Sequence, residues 1–160
     1  MIEKRASFAS ESYEDTWPTP DDIQHFFLAS PAKCWFFDTG IDVAYFRIEG
    51  VDGTDHLPPD DKRRALIYLW LVGHPTLGVQ LYWRKWDGKR PHEYSSKGDL
   101  TRLREIVQNL HADSFSAGLF IPYDVAWKAV KEFLENDGAL PTSIEWIDNE
   151  DLPLDLIPDD

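Results

Sequence analysis

The chain has 160 residues, of which 42% are hydrophobic and 14% are aromatic, and its formal net charge is −13 at pH 7. This length and apolar content predict one folded domain over residues 1–160 and exclude an intrinsically disordered chain. The single cysteine, Cys34, excludes an internal disulfide and a multi-cysteine zinc site. Because the sequence shows no signal-peptide pattern and no apolar stretch of bilayer length, we expect a protein of the reducing cytoplasm.

The negative charge is distributed unevenly along the chain. Lysine and arginine concentrate in the middle, and neither occurs after Lys131. A strongly negative molecule repels nucleic acid and anionic membranes, whereas it attracts basic proteins. A highly acidic surface also serves solubility alone, so that alternative stays open at this point.

The N-terminal third predicts a helix, a hairpin and a loop. Thr19 is a suitable N-cap for a helix over residues 20–29, which the Ser30-Pro31 pair ends. Residues 34–37 and 41–48 have the composition of two paired strands. Residues 50–64 contain two glycines, two prolines and several acidic side chains, which is typical of a surface loop.

The middle of the chain predicts a second, longer hairpin. Residues 65–72 and 77–86 are rich in branched and aromatic side chains and flank a Gly-His-Pro-Thr turn at 73–76. Residues 91–95 add a short strand after the Asp87-Gly88 turn.

The C-terminal third predicts two helices and two strands. Asp99 is placed to cap a helix reaching residue 110, whose apolar side is Leu100, Leu103, Val107 and Leu110. Residues 115–120 and 143–147 are expected strands, and an amphipathic helix begins at Pro122 and ends at Asp137-Gly138. Residues 148–160 form an acidic tail whose end we expect to be mobile.

These elements predict an α+β fold. A mostly antiparallel sheet of about five to seven strands is expected, with helices packed on one face, because strands occur in runs and the helices lie at the ends of the chain.

The residues do not assemble a known catalytic motif. Gly73 and Gly78 have the spacing of a phosphate-binding loop, but Val79-Gln80 stands where lysine and serine or threonine are needed. The five histidines lack metal-ligand spacing, so we expect no metal, no cofactor and no enzyme activity. A carboxylate mechanism at Glu93 and Asp99 remains a minor alternative.

One segment favours a different function. Trp83, Arg84, Lys85 and Trp86 interleave aromatic rings with cations, as single-stranded nucleic-acid platforms do. A nucleic-acid-binding regulatory domain is therefore the alternative hypothesis, although the net charge of the molecule opposes it.

Three segments near the C-terminus carry a family resemblance. They are Ile-Pro-Tyr-Asp at 121–124, Ala-Val-Lys-Glu-Phe-Leu at 129–134 and Gly-Ala-Leu-Pro-Thr-Ser-Ile-Glu-Trp at 138–146. This run resembles the closing signature of the Imm-one-type immunity proteins of bacterial polymorphic toxin systems, with a looser match over residues 66–95. The loop at 50–64 and the segment at 99–110 look like insertions.

The resemblance implies a cytosolic antidote that binds the effector domain of a cognate toxin, and members of this family often accompany nucleic-acid deaminases. Such effector domains are commonly basic, which suits a partner of charge −13. We expect the toxin to contact mainly acidic side chains in the loop, at the Trp86-Asp87 turn and at the start of the tail. These candidates are Asp52, Asp55, Asp60, Asp61, Trp86, Asp87, Glu145, Asp148, Glu150 and Asp151.

Overall fold

The computed structural model describes residues 2–8, 11–29 and 43–156 of the chain. Three α-helices lie in these residues: α1 (Pro20–Ile23), α2 (His25–Leu28) and α3 (Tyr123–Glu135). The strands there are β1 (Glu3–Phe8), β2 (Glu11–Glu14), β3 (Val43–Val51), β4 (Ala65–His74), β5 (Gly78–Trp86), β6 (Pro91–Ser96), β7 (Ile106–Gln108), β8 (Ser114–Ser116), β9 (Phe120–Ile121) and β10 (Trp146–Asp148). No helix in the described ranges is long and apolar enough to cross a membrane.

One antiparallel sheet dominates the molecule. Its strand order is β10-β6-β5-β4-β3-β1-β2, and the short β9 pairs with β5 beside β6. The strands β7 and β8 form a separate two-stranded ribbon. The predicted α+β fold with a mostly antiparallel sheet is confirmed, and the sheet has eight strands in the described part of the chain.

The predicted long hairpin lies at the centre of this sheet. Strands β4 and β5 stay in register from Leu66 opposite Trp86 to His74 opposite Gly78. At the turn, the Nδ1 atom of His74 accepts hydrogen bonds from the backbone N–H groups of Thr76 (3.2 Å) and Leu77 (3.1 Å). This imidazole therefore closes the turn that the Gly-His-Pro-Thr sequence predicted.

The helices cover one face of the sheet, as expected. The amphipathic helix α3 buries Ala126, Val130 and Phe133, and the ring of Phe133 lies 5.8 Å from that of Phe46 in β3. Trp17 completes this contact, with its ring 5.0 Å from Phe133. The core therefore lies between α3 and the strands β3, β4 and β5.

The N-terminal helix forms with a break. The backbone N–H of Thr19 donates to the carboxylate of Asp22 at 2.9 Å, and this hydrogen bond lowers the pKa of Asp22. Helices α1 and α2 meet at Gln24, so the predicted helix becomes two consecutive turns. The predicted Ser30-Pro31 end and the strand at 34–37 lie outside the described residues.

The predicted helix over residues 99–110 is wrong. Asp99 caps a single 3₁₀ turn at Leu100–Arg102, and the chain then extends as β7, which pairs with β8. The side chain of Asn109 accepts hydrogen bonds from the backbone N–H groups of His111 (3.0 Å) and Asp113 (2.9 Å). These bonds stabilise a turn and compete with helix formation.

Two other predicted strands have different bounds. The segment at 115–120 is divided by a 3₁₀ turn at Ala117–Leu119 into the end of β8 and the start of β9. The final strand begins at Trp146 and includes Asp148, the first residue of the predicted tail. Leu156 in that tail is buried, and the end of the tail lies outside the described residues.

Candidate functional site

The acidic loop and the β5–β6 turn lie together at one end of the sheet. The indole N–H of Trp86 donates to the carbonyl oxygen of Lys62 at 2.7 Å, and Lys85 forms an ion pair with Asp52 at 2.6 Å. Gly88 approaches the loop backbone so closely that an added Cβ would lie 2.7 Å from the carbonyl oxygen of Arg63. We call this region, residues 52–64 and 86–90, the loop end.

A buried guanidinium fixes the shape of the loop end. Arg64 is only 7% exposed and donates from Nη1 to the carbonyl oxygens of Leu57 (2.7 Å) and Asp55 (3.4 Å). Its Nη2 lies 3.9 Å from the carboxylate of Glu3 and 4.0 Å from that of Glu49. The loop therefore has a defined backbone that is anchored to β1 and β3.

The acidic candidates in this loop differ in their surroundings. Asp61 accepts hydrogen bonds from the backbone N–H, Nε and Nη2 of Arg63, and these bonds lower its pKa to about 2. Asp52 is paired with Lys85, and Asp55 is half-buried. Asp60 is exposed and forms no ion pair with any residue that the structure describes. Asp60 is thus the carboxylate of this loop that is most available to a partner.

Asp87 organises the β5–β6 turn. Its carboxylate accepts hydrogen bonds from His92 Nε2 at 2.8 Å and from the backbone N–H groups of Lys89 (2.8 Å) and Arg90 (2.9 Å). The bond from His92, followed by the two backbone bonds, lowers the pKa of Asp87 strongly. Trp86 beside it is half-buried against the loop.

The other acidic candidates lie at the opposite edge of the sheet from β2. Asp148 pairs in register with Tyr94 of β6 and accepts a hydrogen bond from the backbone N–H of Glu150 at 2.9 Å. Glu145, Glu150 and Asp151 are exposed. We call residues 145–151 the β10 edge. Among the described residues, neither a hydrogen bond nor an ion pair joins it to the loop end.

The segment of the alternative hypothesis does not form one platform. Trp83 is 5% exposed on the helix-covered face, where its indole N–H donates to the carbonyl oxygen of Gly138 at 2.9 Å. Arg84 points to the other face and pairs with Glu93 at 3.0 Å, while Lys85 is paired with Asp52. Because strand neighbours alternate between faces, the two tryptophans cannot stack bases together.

The proposed carboxylate pair is also engaged elsewhere. Glu93 binds Arg84, and Asp99 accepts hydrogen bonds from the backbone N–H (3.0 Å) and hydroxyl (2.6 Å) of Thr101. Within the described part of the chain, no group of three or more histidine, cysteine or acidic side chains is placed to hold a metal ion.

The structure reveals a surface that the sequence analysis missed. Opposite the helices, one face of β1, β3, β4 and β5 carries aromatic side chains and guanidinium groups. Register brings Tyr45, Trp70 and Tyr82 into one row and Arg5, Arg47, Tyr68 and Arg84 into the next. We call these seven residues the open face. Trp70 lies at its centre and is 45% exposed.

Two shallow cavities indent the open face. One, with a volume of about 300 Å³, is lined by Trp70, Val72, Gln80, Tyr82 and Phe115. The other, about 290 Å³, is lined by Arg5, Tyr45, Arg47, Tyr68 and Trp70. Trp70 separates an apolar cavity from a basic one.

Local contacts hold the side chains of the open face in place. The guanidinium of Arg47 lies over the ring of Tyr68, 5.3 Å from its centroid, and pairs with Glu49. Burial, with a smaller contribution from a hydrogen bond to Glu93, raises the pKa of Tyr82. The face therefore presents largely preformed aromatic and cationic groups.

The sequence contains a signal for this surface, because aromatic and arginine side chains recur two residues apart along β3, β4 and β5. In β4, however, leucine and isoleucine alternate with Tyr68 and Trp70, so both faces of the strand are apolar. Period-two analysis identifies a strand in such a run but not its uncovered face.

Comparison with known proteins identifies a protein family. The family model described as Immunity protein Imm1 matches residues 47–148, which is more than half of the chain. No curated protein and no solved structure matches. The matched range extends from β3 to β10 and includes the loop end, α3 and most of the open face.

Proposed function

Because this chain belongs to the Imm1 family of immunity proteins, we propose that it neutralises a toxin that acts on nucleic acid, such as a deaminase. As an immunity protein of a toxin system, it is a non-enzymatic inhibitor that binds its cognate toxin. The proposal adds the class of toxin and a site of action in the cytoplasm of the cell that makes it. The observation that carries this addition is the net charge of −13.

The charge supports a basic partner. Enzymes that act on DNA or RNA bind a polyanion, so their substrate clefts are lined by lysine and arginine. An acidic inhibitor is attracted to the same cleft, and long-range attraction raises the association rate. We infer that this protein covers the substrate entrance of the toxin and excludes nucleic acid by occupying the same positive field.

The acidic candidates divide into two roles under this proposal. Asp60, Glu145, Glu150 and Asp151 are exposed, and they contribute direct contacts and attraction to the toxin. Asp52, Asp55, Asp61, Asp87 and Asp148, with Trp86, shape the loop end and the β10 edge and contribute mainly through the fixed backbone.

The experiment is titration of the purified effector domain encoded beside this gene. The wild-type chain is expected to abolish its activity on DNA or RNA at a ratio near one to one. Asp60→Lys should weaken inhibition and reduce its salt dependence, whereas Glu135→Lys makes the same change of charge on the helical side and serves as the control. If the effector proves to have a substrate other than nucleic acid, the proposed toxin class is wrong.

A further inference from the structure

We propose that the open face is the principal docking surface for the toxin, with Trp70 at its centre, and that the toxin inserts an apolar side chain next to a carboxylate there. This inference rests on the proposed function, because it takes a toxin effector domain as the partner. It assigns the burial of apolar surface to residues outside the loop end and the β10 edge.

The composition and exposure of the face support this assignment. Tryptophan, tyrosine and arginine are the residues that dominate protein-protein binding energy, and here they are neighbours across β3, β4 and β5. Trp70 is 45% exposed although its strand, β4, lies between β3 and β5. A side chain at such a central position is buried when another layer of the protein packs on it. Among the residues that the structure describes, the helices lie on the other face of the same strands.

The two cavities define what the toxin must present. The cavity beside Val72 and Phe115 is lined almost entirely by apolar and aromatic groups, so it fits an aliphatic or aromatic side chain. The cavity beside Arg5 fits a carboxylate, because guanidinium groups bind carboxylates through paired N–H donors, whereas Arg47 in the same cavity is already paired with Glu49. Arg5 is exposed and forms no ion pair with the described residues.

The net charge of the molecule and the carboxylates at two edges of the sheet favour a cationic protein as the occupant of the face. Exposed carboxylates lie toward two edges of the sheet, at β2 (Glu11 and Glu14) and at the β10 edge (Glu150 and Asp151), whereas Asp60 at the loop end lies among exposed lysine and arginine side chains. An apolar centre with a charged, hydrated rim is the usual anatomy of a protein interface. A second copy of this chain would bring two molecules of charge −13 together, and nucleic acid would meet the same repulsion. A basic effector domain meets attraction from the net charge of the molecule and from the carboxylates at β2 and at the β10 edge.

The test measures binding of the full chain to a catalytically inactivated form of the effector domain encoded beside its gene. Trp70→Ala is expected to raise the Kd by about 30-fold or more, the change typical of an interface hot spot. Leu28→Ala removes another large exposed apolar side chain, on the helical side, and should change the Kd by less than about 3-fold. Thermal unfolding of each variant checks that it folds.

A charge variant distinguishes a specific carboxylate contact from general attraction. Arg5→Glu makes the chain more acidic, so attraction alone predicts tighter binding to a basic toxin, whereas the proposed contact predicts a Kd about 10-fold higher. Lys128→Glu adds the same charge on α3 and should leave the Kd unchanged or lower it slightly. An Arg5→Glu variant that binds as tightly as the wild type overturns the carboxylate contact.

Hydroxyl-radical footprinting of the wild-type complex needs no variant. Trp70 should lose its reactivity when the effector domain is bound, and Leu28 should keep it. Failure of the wild-type chain to bind the effector domain overturns the proposed function itself. Normal binding with a fully reactive Trp70 overturns only the docking surface. The chain could also form a dimer that Trp70→Ala dissociates while the affinity for the toxin stays unchanged. That result would assign the open face to a second copy of the chain and would overturn the docking surface for the toxin.

Discussion

Asp60 and Asp61 are adjacent in the sequence and differ in their surroundings. Asp61 accepts three hydrogen bonds from Arg63, while Asp60 extends into solvent. Composition alone assigns both to one acidic patch, because it does not reveal which carboxylate accepts hydrogen bonds from within the loop. Asp87 is engaged in the same way by its own turn. At the scale of residues, the charge available to a partner is therefore smaller than the sequence suggests.

The pKa of Asp61 gives a direct test of this arrangement. Because Arg63 lowers it to about 2, Asp61 stabilises the folded loop above its unfolded pKa of about 4, and this contribution is lost as the pH falls toward 2. In Arg63→Gln the pKa should rise toward 4, as measured by carboxyl ¹³C NMR titration. Arg102→Gln, whose guanidinium binds Glu105, should leave it unchanged. An unaltered Asp61 pKa in Arg63→Gln contradicts the assigned contact.

Trp83 and Trp86 allow a matched comparison of two indole hydrogen bonds. Trp83→Phe leaves the buried carbonyl oxygen of Gly138 without its donor and opens space in the core, so it should lower the free energy of unfolding by about 2–3 kcal/mol. Trp86→Phe removes a bond to the exposed Lys62 carbonyl and should cost about 1 kcal/mol or less. Urea denaturation measures both. Equal losses would place the two indoles in similar environments and contradict the structure.

At the scale of elements, local sequence predicts the parts that local contacts determine. The β4–β5 hairpin and α3 form where their turns and apolar periodicity placed them. The helix predicted over residues 99–110 is wrong because its leucines match helical spacing, whereas the conformation of the segment depends on pairing with Ser114–Ser116. Gly118 enables that packing, since a Cβ there would lie 2.8 Å from Asp99 O and Leu103 N. Such backbone contacts between distant segments have no local sequence signal.

The arrangement of the candidate site also depends on contacts between distant segments, which local sequence does not reveal. The acidic candidate residues could be located from composition, but their separation into the loop end and the β10 edge depends on strand order. The open face depends on register across β3, β4 and β5, which places Tyr45, Trp70 and Tyr82 side by side although they are 12 or more residues apart. Single-strand periodicity does not contain that information.

Gly78 provides an element-scale prediction. It has a φ of +105°, and an added Cβ would lie 1.9 Å from the carbonyl oxygen of Ile121, where β9 pairs with β5. Gly78→Ala should therefore destabilise the protein by about 3 kcal/mol or more and disturb the start of α3. Gly53 has a φ of +75° with no atom within 4 Å of an added Cβ, so Gly53→Ala isolates the backbone penalty, about 1 kcal/mol. Chemical denaturation compares them, and equal losses would exclude the close approach.

At the scale of the whole molecule, charge and shape have separable roles in binding. The carboxylates at β2 and at the β10 edge act over distance and increase the rate of encounter. Aromatic burial acts only after contact and slows dissociation. The helical side also carries exposed acids, including Asp124 and Glu135 on α3, but these lie behind the sheet. The location of the negative charge should therefore matter as well as its amount.

A pair of double variants tests this directly. Glu150→Gln with Asp151→Asn removes two charges at the β10 edge, and Asp124→Asn with Glu135→Gln removes two from α3, so both variants have the same net charge. The first should lower the association rate with the effector domain by about 5-fold or more at low salt, because local potential steers encounter, and 0.5 M NaCl should erase the difference. The second should have a smaller effect, and neither should alter the dissociation rate much. Stopped-flow kinetics at several salt concentrations measures these rates. Equal effects of the two variants would mean that the association rate depends on the total charge of the protein. They would contradict the proposal that the toxin approaches the edge of the sheet that carries Glu150 and Asp151.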